Sequence, residues 1–316
     1  MVMKIVVLDG YALNCGDLSW ERFEALGELI VYDRTPAHLT NERIGDAEAV
    51  ITNKTVITKE TFACCPNIRY VGVLATGYNV IDTEEAHRLG ITVTNIPAYS
   101  TDTVAQHVFA LLLDYCCGIG VHAPSVRDGE WSRCADFTYR KSPLIELVGK
   151  TMGIIGNGLI GRRVAEIAKV FGMNIMSYSP SQNAPSDLET LLREVDVISL
   201  HCPLKADNAG LICTNTISKM KDGVIIINTA RGGLVNEREL ADALESGKVA
   251  FFGADVLSTE PPAFDNPLLT AKNCIITPHI AWAPYEARVR LITIAADNLE
   301  AYMNGNPINT VPKILK

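Results

Sequence analysis

Three residues in the C-terminal half have the types that proton and hydride transfer at a carbonyl beside a carboxylate requires. They are Arg231 after IIINTA, Glu260 in VLSTEPP and His279 in IITPHIAW, each following an apolar run that reads as a buried strand. A planar guanidinium binds a carboxylate through two parallel hydrogen bonds, which orients and polarises the neighbouring carbonyl. An imidazole gives a proton to a carbonyl oxygen during reduction and recovers it during oxidation. A carboxylate beside the imidazole holds the ring and favours its charged form. Singly, each residue also suits a surface or loop role. Together at the carboxyl ends of strands, where open α/β sheets bind ligands, they form a site.

The element that would bring a hydride carrier to this site lies upstream, in GIIGNGLIGRRVAEIAKVFG. Gly156, Gly158 and Gly161 form G-x-G-x-x-G directly after an apolar run and directly before a helical pattern. Gly156 permits the tight turn, Gly158 lets the backbone approach a pyrophosphate, and Gly161 permits close helix-to-strand packing. The backbone N–H groups of Leu159 and Ile160 then face an anion at the helix N-terminus.

The next strand runs into MNIMSYSPSQN (173–183), and its end holds Ser179 where an acid normally accepts from the adenosine ribose. A serine bonds a ribose hydroxyl but brings no charge to repel a 2′-phosphate. The cofactor is therefore NAD or NADP, with NAD favoured. The nearest cations, Arg162, Arg163 and Arg193, read as solvated helix residues.

These elements belong to two βα series. The first runs through KIVVLDG (4–10), ELIVYDR (28–34), AVITN (49–53), IRYVGVLA (68–75) and ITVTNIP (91–97), with LSWERFEALG and TEEAHRLG as intervening helices. The second runs from KTMGIIGNG (150–158) to NCIITP. Such alternation implies parallel sheets covered on both faces. Between them the spacing predicts a long apolar helix over 101–117, with Ser100 or Asp102 as N-cap, and an irregular segment over 118–150. A final helix over 284–304 returns to the first domain and makes it discontinuous.

Of the 316 residues, 48% are hydrophobic and 20% charged, an ordinary globular composition. The net charge of −8, with no basic block, argues against a nucleic-acid partner. MVMKIVVLDG has too short an apolar run for a signal peptide or membrane span, so a cytoplasmic protein is expected. The nine cysteines, odd in number and without C-x-x-C spacing, read as reduced thiols. Cys64/Cys65 and Cys116/Cys117 sit in apolar stretches and are expected in the core. The six histidines are scattered, and no metal site is expected.

The motifs GNGLIG, LHCPL (200–204), NTARGGLVNE (228–237), DVLSTEPP (255–262) and TPHIAW (277–282) resemble those of the NAD(P)-dependent D-2-hydroxyacid dehydrogenases, over essentially the whole chain. LATGYNVID (74–82) and NIPAYSTDTVAQHVFALLLD (95–114) look most like the glycerate dehydrogenase, or hydroxypyruvate reductase, branch. The resemblance implies an α/β fold of two doubly wound parallel-sheet domains. A Rossmann cofactor domain (100–285) is inserted into a discontinuous flavodoxin-like substrate domain (1–99 and 286–316). It implies that Arg231, Glu260 and His279 are catalytic and that Asp255 contacts the nicotinamide carboxamide. His201 and Pro203 would line the adenine side, with Thr103, Thr229 and Ala230 also near the cofactor. Backbone N–H groups of Thr76 and Gly77 would join Arg231 on the substrate carboxylate.

Asn53, Lys54, Leu74, Tyr78 and Trp282 are expected around the substrate, with Trp282 restricting it to a short side chain and Asn53 or Tyr78 bonding a substrate hydroxyl. The resemblance further implies a homodimer built partly by 118–150, with Trp131 and Phe137 as interface candidates. The expected reaction is reduction of hydroxypyruvate or glyoxylate to D-glycerate or glycolate. Two other readings stay open: an NAD-sensing corepressor-like module, and a 3-phosphoglycerate or formate dehydrogenase.

Overall fold

The apolar runs near the N-terminus pair as a five-stranded parallel sheet in a computed structural model that describes residues 2–179 and 187–312. Its strands are β1 (Met3–Val7), β2 (Gly27–Val31), β3 (Ala49–Thr52), β4 (Tyr70–Val73) and β5 (Thr92–Thr94). Their order, β2-β1-β3-β4-β5, is the flavodoxin-like one. Both β3 and β4 are buried at every position, which is why AVIT and YVGV read as unbroken apolar runs.

The helix Tyr285–Met303 packs on β4, with the Tyr302 ring 5.0 Å from that of Tyr70. Arg288 at its start forks onto Asp17, donating to both carboxylate oxygens at 2.7 and 2.6 Å. It also donates to Ala283 O at 2.9 Å, tying the preceding turn to the helix. One compact unit is thus Met1–Tyr99 with Ala283–Lys316, and the other is Ser100–Trp282.

The second unit holds six parallel strands: β6 (Thr151–Ile155), β7 (Asn174–Tyr178), β8 (Val197–Leu200), β9 (Val224–Asn228), β10 (Val249–Ala254) and β11 (Cys274–Ile276). In the order β11-β10-β9-β8-β6-β7 the chain leaves β6 for β7 on one side and then crosses to β8 on the other. That reversal is a topological switch point, where such sheets open a crevice at their carboxyl ends. Alternate residues feed opposite cores: Ile198, Ile226 and Phe252 on one face, Val197, Ile225 and Phe251 on the other.

Several local expectations change. LSWERFEALG is helical only over Glu21–Glu24, because Gly27 already belongs to β2, where a Cβ would meet Met3 O at 2.2 Å. The helix Thr101–Cys117 forms as spaced, but neither candidate caps it with its side chain. Ser100 holds the N-cap position and accepts the Val104 N–H through its carbonyl, while Asp102 pairs with Arg163 at 2.8 Å. The segment after Gly118 is not irregular throughout: Ile119–Arg127 is a helix despite Pro124, and Gly118, at φ 60°, makes the turn between the two helices. All nine cysteines are free, but of the adjacent pairs only Cys65 and Cys116 are buried; Cys64 and Cys117 are exposed. Residues 180–183 of MNIMSYSPSQN and the C-terminal KILK lie outside the described residues.

Candidate active site

The glycine loop joins β6 to the helix Leu159–Val170. Gly156 has φ 108°, and a Cβ there would meet the His201 and Cys202 backbone at 2.4 to 2.6 Å. A Cβ at Gly161 would come within 2.0 Å of Gly156 O, so only glycine lets this helix start so close to the loop. A Cβ at Gly158 would meet nothing within 4 Å, leaving that side of the loop open to a ligand. The N–H groups of Leu159 and Ile160, in the first turn, have no carbonyl one turn back to bind.

A cavity of about 310 Å³ opens beside this loop, lined by Gly156, Gly158, Tyr178, Ser179, His201 and Pro203 among others. Ser179 is buried at the end of β7, in the cavity wall. His201 places Nε2 2.8 Å from Ser199 Oγ, and desolvation pushes its pKa down to about 3, so it lines the cavity as a neutral ring. Lys205 and Asp207 also line it. The sequence reading missed Lys205, although it directly follows LHCPL. Of the cations it did consider, Arg163 pairs with Asp102 and Glu166, Arg193 pairs with Glu189, and Arg162 donates to Asn157 O in the cavity wall.

At the end of β9, Asn228 folds the turn that presents Arg231. Its side-chain oxygen accepts the Ala230 N–H at 3.0 Å, and its amide donates to Arg231 O at 2.9 Å. The Thr229 hydroxyl between them is buried without a partner among the described residues. A Cβ at Gly232 would sit 1.8 Å from the Leu257 carbonyl carbon, so glycine lets this turn press against the loop that bears Glu260. Glu237 pins that loop by accepting the Ser258 N–H and the Asn266 amide, both at 2.7 Å.

Glu260 accepts the Leu257 N–H through Oε1 at 3.1 Å and places Oε2 2.7 Å from His279 Nδ1. His279 has φ 54°, a left-handed conformation that side chains rarely adopt, and its N–H donates to Thr277 O at 2.9 Å. With Nδ1 on Glu260, the ring's other nitrogen remains for proton exchange. Arg231, at the neighbouring strand end, is exposed, and its Nη1 donates to Ala230 O at 2.7 Å.

Asp255 explains the unusual turn. It is 1% exposed; Oδ1 accepts the Thr277 hydroxyl at 2.6 Å and the Ile280 N–H at 2.8 Å, and Oδ2 accepts the Ala281 N–H at 2.8 Å. The residue placed against the nicotinamide by resemblance is, in this geometry, the internal anchor of the segment that carries His279. His107, from the helix Thr101–Cys117, adds Nε2 at 2.8 Å from Thr277 Oγ1. It was not singled out in the sequence, where its signal was one imidazole in an apolar helix, a turn past Thr103. Thr103 itself donates its hydroxyl to Ser100 O at 3.0 Å in the helix's first turn.

In the first unit, Leu74 is fully buried in the core, so its side chain does not face a substrate as expected. Asn53 is also buried, and its amide donates to Leu74 O at 2.7 Å; it braces two loops rather than offering that donor to a ligand. Thr76 donates its hydroxyl to Ile96 O at 2.8 Å, while Gly77 and Tyr78 are half-buried beside it and Lys54 is exposed. Trp282, the last residue of the second unit, is half-buried. Trp131 and Phe137 are exposed, the indole N–H donating to Phe137 O at 3.0 Å.

Residues 109–281 match the model of the D-isomer specific 2-hydroxyacid dehydrogenase family, NAD binding domain. A hydroxypyruvate reductase of Blautia hydrogenotrophica is 53% identical, covering 98% of this chain and 100% of that protein. A glycerate dehydrogenase of Methylorubrum extorquens is 39% identical over 98% and 99% of the two chains. Among solved structures, an acyclic imino acid reductase in complex with NADPH and D-arginine superposes with a TM-score of 0.86 at 31% identity, covering 98% and 100%.

Proposed function

Because the chain belongs to the D-isomer specific 2-hydroxyacid dehydrogenases, an oxidoreductase family with an NAD(P) cofactor, we propose that it reduces hydroxypyruvate to D-glycerate, with glyoxylate as a second substrate. The observation that carries this reading is the His279–Glu260 pair, 2.7 Å apart at the strand ends, with Arg231 on the adjoining turn. Identity to a hydroxypyruvate reductase supports the choice of substrate.

The residues fit a dinucleotide. Gly156 and Gly161 have no room for a Cβ, Gly158 has open space, and the buried Thr229 hydroxyl lacks a partner among the described residues. Gly156, Gly158 and the N–H groups of Leu159, Ile160 and Gly161 would hold the pyrophosphate. Ser179, His201 and Pro203 would hold the adenosine side, and Thr103, Thr229 and Ala230 the nicotinamide side. When bound, the cofactor supplies the hydride. Ser179 in place of an acid leaves NADPH acceptable, and Lys205 in the same cavity offers a 2′-phosphate a cation; NADH remains the favoured partner.

The chain's own groups do the rest. Arg231 binds the substrate carboxylate and turns the keto group toward the imidazole. His279 delivers a proton from Nε2 to the carbonyl oxygen, while Glu260 on Nδ1 fixes the ring's orientation. Asp255 holds the turn. In the first unit the N–H groups of Thr76 and Gly77 are assigned to the substrate carboxylate, with Tyr78 beside them; Trp282 is assigned to limiting side-chain length. Exposed Trp131 and Phe137 favour a homodimer.

The test is NADH and NADPH oxidation measured against hydroxypyruvate, glyoxylate, pyruvate and phosphohydroxypyruvate. Hydroxypyruvate should give the highest kcat/KM. Binding of NADH without reduction of any of the four contradicts the reading.

A further inference from the structure

Asp9, just past the end of β1, accepts three successive backbone N–H groups. Asn53 donates to Oδ1 at 2.7 Å, and Lys54 and Thr55 donate to Oδ2 at 2.6 and 2.8 Å. The buried hydroxyl of Thr52 lies 3.3 Å from Oδ2. Charge-assisted bonds of this kind are the strong ones, and consecutive amides converging on one anion form a nest. Neighbouring strands make the reach possible: β1 and β3 pair in parallel, so their carboxyl ends lie side by side.

The loop so fixed braces a second one. Asn53 Nδ2 donates to Leu74 O at 2.7 Å, at the start of the segment that runs through Thr76 and Gly77. That segment is held from its other side by Asn95, whose amide donates to Thr76 O at 2.8 Å, and by the Ile96 N–H on Ala75 O at 3.0 Å. Asn95 O in turn accepts from the fully buried Asn298 at 3.0 Å. One carboxylate therefore stands at the root of two successive strand-end loops.

We propose that Asp9 is a positioning residue for substrate binding, fixing 53–55 directly and 74–77 through Asn53. The inference rests on the functional reading above, in which the Thr76 and Gly77 N–H groups bind the substrate carboxylate. Asp9 acts only through the backbone it holds. A preformed donor pair binds without the cost of ordering its loop, and that cost falls on substrate binding rather than on proton transfer.

In Asp9→Asn the amide has one acceptor oxygen, and its NH2 faces backbone donors. The expected result is a KM for hydroxypyruvate raised about tenfold, with kcat within about threefold and the NADH dissociation constant within about twofold of wild type. Asp9→Glu, which keeps the charge, should recover part of the loss. A folded Asp9→Asn variant with unchanged KM overturns the proposal, as does a rise in KM matched by equal losses of kcat and NADH affinity. Should the variant not fold, amide hydrogen exchange in the wild type decides: Asn53, Lys54 and Thr55 should be strongly protected, and exchange at free-peptide rates overturns the anchor. A wild type inactive on hydroxypyruvate overturns the functional reading and this inference with it; an active wild type with an indifferent Asp9→Asn overturns this inference alone.

Discussion

Asp255, buried just past the end of β10, accepts through Oδ2 the backbone N–H of Ala281 at 2.8 Å, two residues past His279. With Ile280 and Thr277 on Oδ1, the same carboxylate closes a turn that would otherwise relax away from φ 54° at His279. Asp255→Asn places an NH2 group against one of those donors. Folding stability should fall by about 1 to 3 kcal/mol, and kcat by about tenfold or more as the imidazole loses its fixed direction. Urea denaturation and steady-state kinetics check both; normal kcat in the variant would mean that the turn keeps its shape without the anchor.

Glu260→Gln keeps an oxygen for Nδ1 but removes the carboxylate charge beside the ring. We expect kcat for reduction to drop by about 10- to 100-fold while NADH binding, followed by fluorescence, stays within about twofold. Equal losses in both would place Glu260 in cofactor binding instead.

Gly158 and Gly161 separate two requirements of the loop. Gly161→Ala drives a Cβ to 2.0 Å from Gly156 O, so the helix must move, and stability should fall by about 1 to 3 kcal/mol. Gly158→Ala has open space and an ordinary φ of −77°, so stability should change little, while NADH affinity falls by about tenfold or more because the methyl occupies the ligand's approach. Unaltered NADH affinity in Gly158→Ala would contradict the pyrophosphate assignment.

His201 gives a pH signature. Its pKa is about 3 in the folded chain against an ordinary 6.5, through desolvation. Above pH 6.5 the ring is neutral in both states and contributes no pH dependence. Between these values the unfolded chain binds a proton that the folded chain refuses, so stability declines as pH falls through that window. His201→Gln should flatten this decline, as read from urea midpoints between pH 7.5 and pH 4, roughly the window over which linkage acts. Midpoints that stay parallel to wild type would contradict it.

Both parallel sheets are legible in the sequence because their strands are buried on two faces. VIIIN of β9 and VISL of β8 are buried at every position and appear as plain apolar runs. The glycine loop is legible because close backbone approach at Gly156 and Gly161 excludes every other residue. Asn228 carried a local signal, a polar side chain closing its own turn at a strand end. Asp9 carried none and His107 only a lone imidazole in an apolar helix, since their partners lie 44 and 170 residues away and only the folded sheets bring them together. The helix after Gly118 was hidden by Pro124, which normally argues against a helix interior. Leu74 and Asn53 read as ligand contacts from their place at strand ends, but burial turned one into core and the other into a brace.

His279 is the proposed proton donor. Its test is reduction of hydroxypyruvate by NADH in a His279→Ala variant, alongside NADH binding measured on the same sample. The kcat should fall by about 10² to 10⁴ with cofactor affinity retained. A kcat within a few-fold of wild type would contradict it and place the proton donor elsewhere.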